Sequence, residues 1–465
     1  MSAVAKPVRA EKIRRIGPQR GPQESFLSSS ADIAIYGGAA GGGKTFGILL
    51  EPVRHVAVPG FGGVIFRREH VQITNQGGLW DEAVQLYPLI GGRPYRSPQL
   101  GFRWPRSKIT FSHLNREDDV LAWQGAQIAF IGFDELTHFT ESQFWYMLSR
   151  NRSTCGVRPY IRATTNPDAD SWVKTLIGWW LDKDGFPIPD RGGVLRWFVR
   201  VSGELHWGDS PDIALEHGMQ REDAKSLTFI PARVQDNQEL LQRDPGYLAN
   251  LRALSRVSRG RLLDGNWNIR PAAGMYFRRD EVRLIDAAPV GTRWIRAWDL
   301  AATEQSEEAR DPDWSRGVKL GRTPSGRWVV GNMASIRDRA GKVRRFIRQT
   351  AEVDSFEVGI AIFQDPAQAG KGQAEQFVQE LSEFPIRAWP ITGDKVTLAD
   401  PFSAQWQQGN VDVVRGPWNE AFFDELEAFP PKKGHDDQVD ACSLGYYAHT
   451  HDFRPTESTT TNVSI

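Results

Sequence analysis

Short apolar runs that end in glycine or polar turns alternate with stretches of helical period from about residue 30 to 200, the pattern of a strand-helix-strand chain. Asp32 to Tyr36 reads as a buried strand, and Phe46 to Leu50 opens an apolar-periodic helix. Gly63 to Phe66, Gln127 to Phe133 and the segment PYIRATTNP give three further buried strands. Over 205–270 the pattern turns helical and dense in arginine, as in PGYLANLRALSRVSRGRLLDGNW, which predicts a small lid-like subdomain. From Arg293 the period becomes two: RWIRAWDLAAT, WSRGVKLGRT and GRWVVGNMAS predict three antiparallel strands. A basic helix follows (RDRAGKVRRFIRQTAEV), then the strand VGIAIFQDP, a helix over 371–383, the segment IRAWPI and a last helix announced by HDDQVDACSLGYYAHT. Strands first antiparallel and then separated by helices predict a mixed α/β sheet.

With 465 residues the chain is too long for one ordinary core. The pattern divides it into an arm (1–24), a nucleotide-binding α/β domain with a parallel-rich sheet (25–270, the lid at about 205–270), a linker (271–284, with Pro271 to Gly274 at its start), a mixed α/β domain of the ribonuclease H kind (285–452) and a disordered Thr- and Ser-rich tail (453–465). Hydrophobic residues at 40% and charged residues at 25% are globular values, which excludes wholesale disorder. Basic and acidic residues balance at 57 each, so any surface for nucleic acid must be local, and Arg337, Arg339, Lys342, Arg344, Arg345 and Arg348 of the basic helix are the candidates. Cys155 and Cys442 stand far apart, which predicts buried thiols in a reducing compartment with neither disulfide nor zinc framework. The opening MSAVAKPVRAEKIRR has no apolar signal core, and no run approaches a membrane span, so cytosolic residence is expected.

The chemistry centres on GGAAGGGKT, where Gly38, Gly43, Lys44 and Thr45 satisfy the phosphate-loop pattern between a strand and a helix. Glycines, Gly41 and Gly42 included, let the backbone N–H groups wrap phosphate oxygens, Lys44 reaches the β- and γ-phosphates, and Thr45 offers a hydroxyl to Mg²⁺. The strand QIAFIGF stops at Asp134-Glu135, a carboxylate for Mg²⁺ followed by one that polarises the attacking water. Thr164, Thr165 and Asn166, at the end of the next strand, are candidates for sensing the γ-phosphate. Gln19 and Gln23 are either adenine readers or solvated loop residues.

A second constellation is acidic. Asp299 lies in the first strand of the second half, Asp365 ends the strand IAIFQD, and Asp436, Asp437 and Asp440 open the last helix, where Asp437 and Asp440 share a face. Hard carboxylate oxygens without His or Cys partners favour Mg²⁺ or Mn²⁺, and two such ions cleave phosphodiesters.

An ATPase loop followed by a carboxylate nuclease resembles the large terminase subunit of tailed bacteriophages. The likeness spans about residues 20–450 and rests on ADIAIYGGAAGGGKT, IGFDEL, TTNP, RLLDGNW, WDLAAT, FQDPAQAGKGQ and HDDQVDA. It implies an ATP-driven motor that moves double-stranded DNA into a procapsid and a Mg²⁺- or Mn²⁺-dependent endonuclease that cuts it. The implied partners are a portal protein, a small terminase subunit and further copies in a ring, in the cytoplasm of an infected host. It also implies Lys44 and Thr45 on ATP and Mg²⁺, Asp134 on Mg²⁺, Glu135 as catalytic carboxylate, Asn166 in the coupling motif, Gln23 on adenine, and Asp299, Asp365 and Asp436-Asp437 as a metal triad with Asp440 as a further candidate. Many members carry an arginine in the phosphate loop where this chain has Ala39, Ala40, Gly41 and Gly42. Arg150 or Arg152, or else Arg67 or Arg68, must then supply the transition-state cation, in cis or from a neighbour. A host repair or recombination nuclease is the alternative reading of the same motifs.

Overall fold

The computed structural model describes residues 16–300, 314–364, 368–390, 393–431, 434–451 and 453. The chain divides by its contacts into two units, 1–248 with 260–269, and 249–259 with 270–465.

The first unit is built on ten strands: β1 (Ile33–Gly38), β2 (Gly62–Arg67), β3 (Arg93–Tyr95), β4 (Leu100–Arg103), β5 (Lys108–His113), β6 (Phe130–Phe133), β7 (Tyr160–Thr165), β8 (Arg196–Val201), β9 (Glu204–Gly208) and β10 (Lys225–Ala232). They form one sheet in the order β3-β4-β5-β2-β6-β7-β1-β10-β8-β9. The six from β5 to β10 in that order are parallel, while β3, β4, β8 and β9 add antiparallel edges. Every residue of β1, β6 and β7 is buried, which explains why these strands read as continuous apolar runs. Because β1 and β6 are both parallel neighbours of β7, the chain ends of all three emerge on one edge: Gly38, Asp134 and Thr165 meet there.

The second unit carries β11 (Arg283–Ile285), β12 (Arg293–Asp299), β13 (Ser315–Arg322), β14 (Trp328–Ile336), β15 (Gly359–Gln364), β16 (Ile386–Pro390) and β17 (Val411–Val414). Their order is β11-β17-β14-β13-β12-β15-β16. The β12-β13-β14 meander is antiparallel, and β15, β16, β17 and β11 join it in parallel. This is the mixed sheet that the alternation predicts. The last helix, Asp437–Thr450, packs on β12 and β13, with Val439, Ala441, Cys442 and Leu444 in the core.

Several expectations change. The segment 205–270 is not helical throughout: β9 and β10 occupy its first part, β10 pairs with β1, and helices are confined to Ile213–Glu216, Gln238–Arg243, Tyr247–Arg252 and Arg256–Leu262. The run KSLTFIPA was hidden by the polar loops on both sides of it. Residues 249–259 side with the second unit, where Ser255 bonds Asp400 and the Arg256 N–H donates to Gln407 at 2.6 Å. The segment 271–284 is no free tether, since Tyr276 and Phe277 are fully buried and Arg283 to Ile285 pair with β17. The arm ends earlier than residue 24, in a helix over Pro22–Ser28 that buries Gln23 and Phe26. Cys442 is buried as expected, but Cys155 is only half-buried. The tail residues 454–465 lie outside the described residues, and no helix among those described is long and apolar enough to cross a membrane.

Candidate active sites

The phosphate loop leaves β1 at Gly38, whose φ of 123° only glycine adopts freely; a Cβ there would also lie 2.7 Å from the Ala232 carbonyl oxygen. Gly41 and Gly43 have φ of 75° and 73°, and Gly43 caps the helix Lys44–Leu50. Turned this way, the loop is fixed by its carbonyls: Tyr36 donates its hydroxyl to Gly42 O at 2.7 Å, Asn237 Nδ2 to Gly41 O at 2.7 Å, and Gln23 Nε2 to Gly43 O at 2.9 Å. With carbonyls held from behind, the opposite face of the loop is left for N–H groups, as a phosphate cradle requires. Thr45, half-buried, follows in the first helical turn.

Lys44 is buried, and its ammonium donates to Ala39 O and to Asn166 Oδ1, both at 2.7 Å. Burial pushes its pKa down, while Glu135 and Asp134 hold the charge in place. The other end of the Asn166 amide donates from Nδ2 to both oxygens of Glu135 at 2.9 Å. Asn166 is thus a bridge between the phosphate-binding lysine and the candidate base. Glu135 itself sits at φ 63°, a left-handed position uncommon for a glutamate, and its N–H donates to Thr164 Oγ1 at 3.0 Å. Asp134 is fully buried; one oxygen accepts Thr164 Oγ1–H at 2.6 Å and the other is paired with Arg67 Nε at 2.7 Å. Lys44, Asp134, Glu135, Thr164 and Asn166 therefore converge as the motifs predict.

The arginines fall differently. Arg67, at the end of β2, touches Asp134, whereas Arg68 bonds Leu114 O and Gln143. Arg150 stacks on Tyr146 and accepts the Ile128 N–H at its carbonyl, and Arg152 donates to Gly125 O and Ala126 O. Both lie where the chain enters β6, at the end of that strand opposite to Asp134. Sequence order hides this, because the helix Glu141–Leu148 between Asp134 and Arg150 returns the chain to the opposite edge of the sheet. Gln23 is also committed: its donor holds Gly43 O and its oxygen accepts the Gln19 N–H at 2.7 Å. Gln19 in turn donates to Asn237 Oδ1 at 2.8 Å. Asn237, which the sequence reading missed, is the node of this amide chain, and nothing in its polar surroundings marks it.

In the second unit, Asp299 ends β12 beside the start of the last helix. Burial, and then the charges of Asp440 and Asp437, push its carboxyl well above the usual range; Lys395 opposes them. Asp440 is likewise raised, to about 6, by burial against the pull of Lys395. Asp437 is buried and accepts the Trp314 N–H at 3.1 Å. Carboxylates crowded until their charges repel are the donor set a hard divalent cation would relieve. Lys395, which no motif flags, reaches in from the helix Lys395–Gln407 and contacts Asp436 Oδ1 at 2.6 Å and Asp440 Oδ2 at 2.8 Å. Asp365 lies outside the described residues, and among those described no three acidic, His or Cys side chains already share one ion position. On the basic helix, Ala340–Asp354, Lys342 pairs with Asp338 at 2.9 Å and Arg348 with Glu383, so part of its charge is already neutralised by the fold.

Family models match both units: the N-terminal model of the terminase large subunit, T4likevirus-type, over residues 35–284, and the terminase RNaseH-like domain over 296–448. No curated protein sequence matches. Among solved structures, the large terminase of a thermophilic bacteriophage in complex with ADP is 14% identical with a TM-score of 0.57, covering 92% of this chain and 98% of that one. A second crystal form of the same phage protein gives 14% identity and a TM-score of 0.59, covering 94% and 99%. Its complex with ATP-gamma-S gives 15% and 0.57, covering 92% and 98%. At these identities the likeness is one of fold.

Proposed function

The chain belongs to the terminase large-subunit family, and from that membership we propose how its residues divide the work. The protein is an enzyme in two parts, an ATPase that drives packaging of phage DNA and an RNase H-like nuclease that cuts it. The host repair reading is not favoured, since both halves match terminase models.

In the ATPase, the N–H groups of Gly41, Gly42, Gly43 and Lys44, with the Lys44 ammonium, bind the phosphates of ATP. Thr45 and Asp134 hold Mg²⁺, which when bound neutralises charge on the β- and γ-phosphate oxygens. Glu135 orients the attacking water and takes its proton, and Arg67 faces the charge that develops on the γ-phosphate. Gln23 reaches an adenine edge by giving up one of its present bonds. The observation that carries this reading is the Asn166 bridge, which joins the lysine that senses phosphate to the carboxylate that activates water. Glu135→Gln is expected to bind ATP and lose hydrolysis, and Lys44→Ala to lose both, by nucleotide titration and phosphate release; normal turnover in Glu135→Gln removes Glu135 from the chemistry.

In the nuclease, Asp299, Asp365 and Asp437, with Asp436 and Asp440, hold one or two Mg²⁺ or Mn²⁺ ions, which when bound activate water and stabilise the leaving oxygen. The substrate is double-stranded DNA. The partners are a portal protein, a small terminase subunit and further copies of this chain in a ring, in the cytoplasm of the infected host. Asp299→Asn is expected to abolish plasmid cleavage and leave ATP hydrolysis intact; wild-type cleavage by this variant would reject the metal assignment.

A further inference from the structure

The acidic centre of the second unit already holds a cation of its own. Lys395 stands in the first turn of its helix, whose N-cap Asp394 is occupied by Thr397: its two oxygens accept the Thr397 N–H at 2.9 Å and the hydroxyl at 2.5 Å. The Lys395 ammonium is therefore left to Asp436 and Asp440, and it contacts one oxygen of each, at 2.6 and 2.8 Å. The one ammonium nitrogen thus bridges the two carboxylates. A divalent ion held by both carboxylates would need the same two oxygens that the ammonium now contacts, so the two cations compete.

Exposure differs sharply between the partners. The Lys395 side chain is 56% exposed, while the Asp436 and Asp440 side chains are only 17% and 13% exposed. The lysine is thus the solvent-exposed partner of both pairs. The carboxylates stay, held by the helix that packs on β12 and β13.

We propose that Lys395 is an exchangeable counter-cation of the nuclease centre, which fills one cation position in the free protein and must withdraw before a divalent ion can bridge Asp436 and Asp440. The proposal rests on the nuclease reading above. Its consequence is that Lys395 raises the metal concentration at which the second ion loads, and so restrains cutting while the motor runs. A lysine that acted only through its field would also weaken metal binding, but that effect fades as salt screens it, whereas competition for the same oxygens persists at high ionic strength.

The test is Mn²⁺ binding to the full chain without nucleotide, measured by titration calorimetry and by the melting temperature with and without Mn²⁺. Lys395→Met is expected to bind Mn²⁺ about tenfold tighter, since one unit of competing charge at contact distance is removed. Its melting temperature is expected to fall without metal and to rise on adding Mn²⁺ by more than the wild type does. Lys395→Arg, which keeps the charge, is expected to follow the wild type. Lys395→Gln serves as a second neutral variant should the methionine protein fold poorly. Unchanged or weaker Mn²⁺ binding in the folded neutral variant overturns the proposal. Asp299→Asn separates the two levels: if it binds Mn²⁺ as the wild type does, the ion is not in this centre and the nuclease reading itself fails, whatever the lysine variants do.

Discussion

Asn166 is central to the proposed ATPase site, because among the described residues its amide hydrogen-bonds both the lysine and the candidate base. An amide suits this place for a chemical reason. It accepts from Lys44 at one end and donates to Glu135 at the other, which neither aspartate nor leucine of the same size can do. On the proposed reading, a γ-phosphate that took over the Lys44 ammonium would deprive Asn166 Oδ1 of its donor, and the same side chain holds the carboxylate. Asn166→Ala is thus expected to bind ATP within a few-fold of the wild type while hydrolysis drops about a hundredfold, the scale of a mispositioned base. Steady-state phosphate release beside nucleotide titration measures both, and unimpaired hydrolysis would show that Glu135 keeps its left-handed pose unaided. Such a role was only partly legible in the sequence. TTNP after an apolar strand marks the right strand end, but the bridge depends on β7 lying between β1 and β6, which no local pattern states.

At the scale of elements, the sheets were readable where burial is two-sided, as in β1, β6 and β7, and where turn residues punctuate short apolar runs, as in the β12-β13-β14 meander. What was not readable is which charged residues inside them are buried. Arg296 and Asp354 show why: an arginine in the centre of β12 breaks the apolar alternation, yet it is buried because Asp354 accepts from its Nε and Nη2 at 2.7 and 3.1 Å and Lys319 adds a contact at 2.9 Å. Burial alone would raise the Asp354 carboxyl, but Arg296 and Lys319 together hold it below its usual range. Its folded value is depressed, so its stabilising contribution is present above the unfolded value near 3.9 and is lost as pH falls further. Removing the carboxylate strands a buried guanidinium, and Asp354→Ala is expected to cost about 3 to 5 kcal/mol in denaturant unfolding of the second unit. A loss under about 1 kcal/mol would mean that Arg296 finds water instead. His449 sets a second pH window in this unit. Burial lowers its pKa to about 4, with Arg293 and Arg322 adding to the effect against the bond from its Nε2–H to Leu320 O at 3.0 Å. The unfolded chain takes up a proton near 6.5, so stability from this group is full above that pH and is lost between about 6.5 and about 4. His449→Gln is expected to flatten the unfolding curve across that interval; an unchanged slope would place the acid sensitivity elsewhere.

On the scale of the whole molecule, the order of chemistries along the chain was legible, because the phosphate loop and the acidic strand and helix ends are each local in sequence. Where a chemistry needs residues from distant segments it was not legible, and the arginine is the clearest case. Arg150 and Arg152 follow Asp134 closely in sequence but occupy the other edge of the sheet, whereas Arg67, far upstream on β2, pairs with Asp134 at 2.7 Å. A ring motor can borrow its arginine from the next copy or carry it on the same chain, and the two arrangements differ in what mixing mutants does. If the cation came from a neighbour, an Arg67→Ala chain with an intact Glu135 could sit beside a Glu135→Gln chain with an intact arginine, and their interface would contain one whole site. If Arg67 acts on its own chain, every site in the mixture has one defect. The ion pair between Arg67 and Asp134 favours the second case. Arg67→Ala is therefore expected to lose hydrolysis by about three decades or more, the usual worth of such an arginine. Mixing it with Glu135→Gln at any ratio is expected to restore nothing, while Arg150→Ala keeps wild-type turnover at concentrations where the chains are separate. Recovery of hydrolysis on mixing, with its maximum near equal amounts, would move Arg67 to an interface between copies and reopen the place for Arg150 or Arg152.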